Sequence, residues 1–203
     1  MGKKQKQLTK TEKRKRELGD QYVYVALDAD TKIVPYFSIG KRTTKDCFEF
    51  ILELSKKINI RYQLSTDSYQ AYMDVIERVY GCNIDYGQIY KVYQNESKSE
   101  KRYSPAKIVE VIIKRLSGNP VLKHISTSFV ERQNLTIGMQ LRRFTRLTNA
   151  FSKKLENLKA AVALHFYHYN FMRIHQTLRM TPAMEARLTN HIWTWNDFIA
   201  YKS

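Results

Sequence analysis

The stretch YVYVALDADTKIVPYFSIG, residues 22–40, decides the fold class. Tyr22 to Leu27 is aromatic and β-branched, side-chain chemistry that suits a pleated surface, and reads as a central strand. Asp30-Thr31-Lys32 makes a tight turn into a second strand, Ile33 to Ile39, which Gly40 closes. Working outward, Thr44 is placed to cap a helix running to about Lys57. Its Phe48, Ile51, Leu52 and Leu54 fall mostly on one face, with Lys56 and Lys57 at the favourable carboxyl end. A short strand, Tyr62 to Thr66, ends at Asp67. A helix from about Ser68 to Tyr80 follows, with Tyr72, Val75, Ile76 and Val79 as its stripe and Gly81 as its stop.

Ile89 to Tyr93 is the next strand, and Ile108 to Leu116 is expected to pair back on it. Residues 94–106 between them are polar and of low complexity, and read as a surface insertion. Beyond the turn Ser117-Gly118-Asn119-Pro120 the character becomes helical. One helix is expected from Phe129 to about Leu147. A second spans Lys153 to Phe171 with Leu155, Leu158, Val162, Phe166 and Tyr169 inward. Thr181-Pro182 opens a short helix, and Trp193 to Tyr201 forms the last. The plan is mixed α/β. Residues 1–20, with eight Lys/Arg against three acidic side chains, read as a basic flexible arm. Residues 21–185 read as one catalytic-type domain and 186–203 as a helical tail.

The chain of 203 residues is 43% hydrophobic and 12% aromatic, enough for a real core, which excludes global disorder. No apolar run approaches the ~20 residues of a membrane span, and MGKKQKQLTK lacks the apolar segment of a secretory signal. Cys47 and Cys82 are isolated, so neither a disulfide framework nor a CxxC zinc module is available; a reduced, cytoplasmic setting follows as the expectation. The charge is the first functional clue: 35 Lys+Arg against 19 Asp+Glu give +16. Between Arg132 and Arg179 stand nine Lys/Arg and one acidic residue, Glu156. That one-signed, aromatic-rich stretch suits a phosphate-contacting surface.

Two carboxylates lie at element junctions. Asp67, in STDSYQAY, ends a strand where α/β sheets place ligands. Glu131, in STSFVERQN, sits one turn into a helix, with Arg132 and Asn134 beside it. If that helix continues, Arg142 lies three turns on and shares its face. Carboxylate oxygens hold Mg²⁺ or Mn²⁺ and arginines hold flanking phosphates, the requirements of metal-dependent phosphoryl transfer on DNA. Each residue also has a structural reading. Asp67-Ser68 could be a helix N-cap, and Ser128 with Glu131 matches a capping box. His165 and His168, three apart, read as core or substrate-facing residues rather than metal ligands. No P-loop, dinucleotide glycine pattern or nucleophilic triad is present.

Taken together, VALDADTKIVPYFSIGKRT, LSTDSYQAY, KHISTSFVERQNLT, RRFTRLTNAFSKKLENL and YNFMRIHQTLRMTPAMEA resemble the insertion-sequence-one type of DDE transposase, in order over residues 19–200. The resemblance implies an RNase H-like mixed sheet with flanking helices and Mg²⁺- or Mn²⁺-dependent cleavage and joining at transposon ends. It also implies DNA and further transposase subunits as partners, in a nucleoid-associated, bacterial-type mobile element. By motif, Asp67 and Glu131 become catalytic and metal-binding residues. Arg132, Asn134, Arg142, Arg143 and Arg146 become DNA contacts. The family's first catalytic aspartate is expected in an Asp-Glu-x-Trp-Ser-Phe-Val stretch on an opening strand. This sequence does not contain it, so a missing first strand, a truncated copy and impaired catalysis are expected. Asp28 is the available substitute metal ligand, although it and Asp30 also read as turn residues. The alternatives are a non-catalytic basic DNA-binding remnant and an RNase H-like nuclease.

Overall fold

The alternation in residues 22–40 produces an antiparallel hairpin. In the computed structural model, which describes residues 5–12, 15–94, 107–144 and 152–201, β1 (Tyr22–Ala26) pairs with β2 (Tyr36–Gly40) in the register Tyr22↔Gly40 to Ala26↔Tyr36. The chain divides into two compact units, Met1–Arg42 with Phe129–Ser203, and Thr43–Ser128. The expected insertion at 94–106 lies outside the described residues apart from Gln94.

In the first unit the core consists of Val34, Ile137, Leu158, Val162, Phe166 and Tyr169. Val23, Val25 and Leu27, alternate residues along and just beyond β1, pack against it together with Phe37 and Ile39. Period-two patterning therefore sets one face of the hairpin against α3 (Ser128–Gln140) and α4 (Leu155–Tyr167). The inward residues expected of the second long helix are inward. His165, also buried, joins them. The helix does not run evenly to Phe171: from His168 to Met172 it widens into a π turn. One extra residue per turn brings Tyr169 and Asn170, both buried, toward the chain at 32–34.

That widening explains a correction to β2, which begins at Tyr36 and not at Ile33. The backbone of Val34 is bonded instead by the buried Asn170 side chain. Val34 N–H donates to Asn170 Oδ1 at 3.0 Å, and Asn170 Nδ2 donates to the Val34 carbonyl at 2.9 Å. Tyr169 Oη donates to the Lys32 carbonyl at 3.0 Å, and Pro35 has no N–H to offer a ladder. The helix expected from Phe129 to about Leu147 also ends early. α3 stops at Gln140 and tightens into a 3₁₀ turn at Arg142–Phe144, through which Leu141 and Phe144 pack on the core. In the basic arm, Leu8 is buried and the Lys41 ammonium donates to the Leu18 and Asp20 carbonyls.

The second unit is a mixed three-stranded sheet in the order β3-β4-β5. β3 (Gln63–Asp67) runs parallel to β4 (Asp85–Tyr93), which pairs antiparallel with β5 (Ile108–Ser117). The pairing of the fifth strand back on the fourth is as expected. α1 (Thr44–Lys57) is capped by Thr43, one residue earlier than anticipated, because Thr43 is the extended residue whose hydroxyl accepts from the Asp46 amide. Its buried stripe is Cys47, Phe50, Ile51 and Leu54, whereas Phe48 lies at the surface. α2 (Ala71–Tyr80) buries Ala71, Val75 and Ile76 and ends at Gly81 in the left-handed region, φ 54°.

At the start of β4, Arg61 grips Asp85 in a two-pronged pair at 3.0 and 2.7 Å, and the Asn119 amide donates to the same carboxylate at 2.7 Å. These bonds hold the Asp85 carboxyl down at about 2. Gly118, at φ 63°, permits the turn: a Cβ there would meet Asp85 Oδ1 at 2.3 Å. The Gln63 side chain repeats the Asn170 device, accepting from Val121 N–H at 2.8 Å and donating to the Val121 carbonyl at 3.2 Å. Short elements close the chain: α5 (Pro182–Glu185), capped by Thr181 as expected, and α6 (Trp195–Ala200), opened by a Thr194–Asp197 capping box.

Asn170→Ala strips partners from both backbone groups of Val34, and should lower stability in chemical denaturation by about 2–5 kcal/mol. The exposed Asn190→Ala is the control and should stay within about 0.5 kcal/mol of the parent.

Candidate functional site

Asp67 is the last residue of β3 and is exposed. Its Oδ1 accepts from the Tyr69 amide at 3.1 Å, a turn that carries the chain off the strand. It is not the N-cap of α2: that position is Gln70, which makes no side-chain cap bond. The ordinary capping explanation for this aspartate therefore fails. Its second carboxylate oxygen has no hydrogen-bond partner among the described residues, so Asp67 presents a hard oxygen to solvent at the carboxyl end of a parallel strand pair.

Behind it runs a polar ladder that the sequence pattern did not single out. Thr66 Oγ1 and Tyr86 Oη lie 2.8 Å apart, Gln88 Nε2 donates to Thr66 Oγ1 at 3.4 Å, and Tyr90 Oη donates to Gln88 Oε1 at 2.8 Å. Gln88 is fully buried. The strand register places Thr66 opposite Gln88 and Asp67 opposite Ile89, so the ladder stiffens the end of β3 from its partner. Burial first, and then the charge of Asp67, push the Cys47 thiol up to about 12; burial raises the Tyr86 phenol, against the lowering effect of its hydrogen bonds with Thr66 and Gln88. Cys47 is thus an inert core thiol and Cys82 an exposed one.

Glu131 is exposed on α3, together with Arg132 and Asn134, while Gln133 and Ile137 form the inner face. The helix starts at Ser128, which makes Glu131 its fourth residue and puts it one place beyond the third position that a capping box uses. Arg142 does not continue this helix: it lies in the separate 3₁₀ turn, so the three-turn shared face with Glu131 does not form. Arg143, in the same turn, donates to the Oγ of the buried Ser152 at 2.7 Å, and at least one of its nitrogens is committed to holding the fold. Arg146 lies outside the described residues.

Asp28 acts as a turn residue. Its Oδ2 accepts from both the Thr31 amide, at 2.9 Å, and the Thr31 hydroxyl, while its carbonyl accepts from Lys32 N–H. That turn puts Lys32, at φ 60°, 3.7 Å over the Phe129 ring. His175 is lowered by burial first, then by Lys32 and Arg173, so these side chains gather near Tyr169, whose ring lies 6.5 Å from that of His175. Sequence order does not bring these together: Lys32 comes from the hairpin turn, Arg173 and His175 from the segment after the π turn. His165 is buried and held neutral, its pKa pulled down to about 4 by burial and then by His168 and Arg173. That places it in the core; His168 is exposed.

Among the described residues, no group of three or more His, Cys, Asp or Glu side chains is close enough to hold a metal ion. No described helix is long and apolar enough to cross a membrane. Fold and site together define a basic α/β protein with carboxylates at two element junctions. No protein-family model matches the chain, and no curated protein or solved structure is significantly similar to it.

Because the folded-state value of His165 lies below the ordinary 6.5, its stabilising contribution is complete above about pH 6.5 and is lost as pH falls toward 4. Melting curves across that window should show the loss, and His165→Leu should flatten it.

Proposed function

We propose that this chain is a DNA-binding protein of the DDE transposase type, with an RNase H-like catalytic plan, acting in DNA transposition. The observation that carries the reading is electrostatic. Of the nine Lys/Arg between Arg132 and Arg179, eight are described; all are exposed, and none forms an ion pair with a described carboxylate. Such a surface attracts a counter-ion atmosphere that a nucleic acid backbone displaces, with a gain in entropy. The five ordered motifs support the finer assignment. So does the element order, two strands, helix, strand, helix, two strands, then helices.

In this reading Arg132, Asn134 and Arg142 contact the DNA backbone, Arg143 doing so only with the donors left over from Ser152. By motif, Asp67 and Glu131 would each be a carboxylate donor for Mg²⁺ or Mn²⁺. Asp67 fits that role by its donor chemistry and its unengaged oxygen. When bound, the metal would polarise the scissile phosphate and activate the attacking oxygen. The residues of this chain would orient the backbone and hold the cation in place. Asp28 is bonded into its own turn, which favours a second reading of the same surface: DNA binding with little or no catalysis by the chain alone.

Fluorescence anisotropy on a transposon-length duplex should show binding that weakens steeply with salt. Arg132→Ala and Arg142→Ala should each weaken it and reduce the log–log salt slope by about 1. Asp67→Asn and Glu131→Gln should bind as the parent does. Salt-independent binding, or binding lost in the carboxylate variants, would count against the proposal. Mg²⁺-dependent strand transfer by the chain alone that Asp28→Asn abolishes would overturn the turn role given to Asp28.

A further inference from the structure

β5 is built unlike the other strands. Its residues from Ile108 to Arg115 are all exposed, and only Leu116 and Ser117 are partly covered. Five of the exposed residues are aliphatic: Ile108, Val109, Val111, Ile112 and Ile113. They lie on both faces, since side chains alternate along a strand. One edge of β5 is bonded to β4, and β5 ends the sheet order, so no described strand pairs with its outer edge. Of the usual protections of an exposed edge, charge is present, at Glu110, Lys114 and Arg115. There is no proline in the strand, and its register irregularities lie near the two ends, opposite Tyr86/Gly87 and Val92/Tyr93. A ten-residue open edge, half of it exposed aliphatic side chains, is a template for another strand.

The sequence of that edge identifies the strand it fits. We propose that β5 pairs antiparallel with β5 of a second copy of this chain, about a two-fold axis through Ile112. Two identical antiparallel strands in one sheet are related by an axis perpendicular to it. Such an axis keeps each side chain on its own face, so a residue pairs only with itself or with one an even number of places away. Centres at 111, 112 and 113 are the registers with most overlap of the exposed segment. Centring on Val111 puts Glu110 opposite Ile112, and centring on Ile113 puts it opposite Leu116. Centring on Ile112 puts Glu110 opposite Lys114 twice, Val111 opposite Ile113 twice, and Ile112 opposite itself. Only this register joins opposite charges and apolar side chains together. Lys114 lies over the Tyr90 ring of β4 at 4.5 Å, so in this pairing its flexible side chain turns from that ring to the partner's carboxylate. The result is a continuous sheet in which the outer edge of β5 is covered in both copies. The inference does not rest on the DNA reading, and its test contains no nucleic acid.

Sedimentation velocity on the full chain at about 0.15 M ionic strength, which screens the repulsion between two +16 chains, should show a species of twice the chain mass. Glu110→Lys and Lys114→Glu should each shift it to monomer, and the double exchange E110K/K114E should restore it. In a Cys82→Ser background, Ile112→Cys should give a reducible dimer under mild oxidation, because directly opposed Cα atoms fall within disulfide reach. Val109→Cys should not, its two copies standing about 20 Å apart in this register. A monomeric parent would overturn the proposal, as would a dimer indifferent to the single reversals, an exchange that fails to restore it, or cross-linking at 109 equal to that at 112. If a charge variant does not fold, the comparison of 112 with 109 decides alone.

Discussion

One side-chain amide holds the first unit in register. Asn170 bonds both backbone groups of Val34, a residue 136 positions away, at a place where Pro35 prevents a regular ladder. A buried N–H or C=O without a partner costs about as much as a hydrogen bond is worth, and often more. By standing in for a strand, Asn170 lets the chain leave β1, turn through Asp28–Lys32 and return as β2 with Val34 inside the core. The π turn in the C-terminal helix is the means. Within it Tyr169 reaches the Lys32 carbonyl and Asn170 the Val34 backbone. Gln63 does the same for Val121 in the second unit, tying the strand that carries Asp67 to the segment following β5.

Much of this plan can be read in the residues. Alternation in YVYVAL predicts the hairpin face, Gly81 predicts the end of α2, and Thr181-Pro182 predicts the start of α5, because each is a local signal. The amide clamps are not local. Nothing about Asn170 in YNFM distinguishes a residue that bonds Val34 from one that faces water, and so the residue pattern alone extends the second strand back to Ile33. The end of α3 at Gln140 is hidden for a similar reason. Leu141 and Phe144 pack inward better from a tighter turn than from a continued helix, and that preference depends on a core built from other segments. Phe48 against Cys47 and Phe50 is a smaller case: the buried face runs through Cys47, Phe50, Ile51 and Leu54, and the packing of other segments, not the helix sequence, selects it.

The candidate site divides along the same line. Junction positions for Asp67 and Glu131 follow from chain order and are where they were expected. What surrounds them does not follow from order. The Thr66–Tyr86–Gln88–Tyr90 ladder needs the strand register, and the grouping of Lys32, Arg173 and His175 needs the turn that Asp28 makes. Arg143 shows the opposite outcome. Read as a DNA contact from its charge and position, it has a bond to buried Ser152 that gives it structural work as well.

Charge is distributed according to this division. In the second unit Lys45 lies near Glu49, Lys56 bonds Glu53, and Arg61 holds Asp85, so cations and carboxylates compensate locally. Along 132–179 the described cations have no such partners, although pairing them would cost only a few Asp or Glu substitutions on exposed helix positions. Surface ion pairs are worth little to stability, roughly 0–1 kcal/mol each, so a fold gains almost nothing by making them and loses almost nothing by leaving them out. Their absence over one continuous stretch therefore does not come from folding. What it changes is the long-range potential, which falls off over about a Debye length and acts on whatever approaches that surface. Of the described cations none enters the core, and Lys159 stands on the helix anchored by Leu158, Val162 and Phe166. That is the condition under which several weak phosphate contacts add into one binding surface.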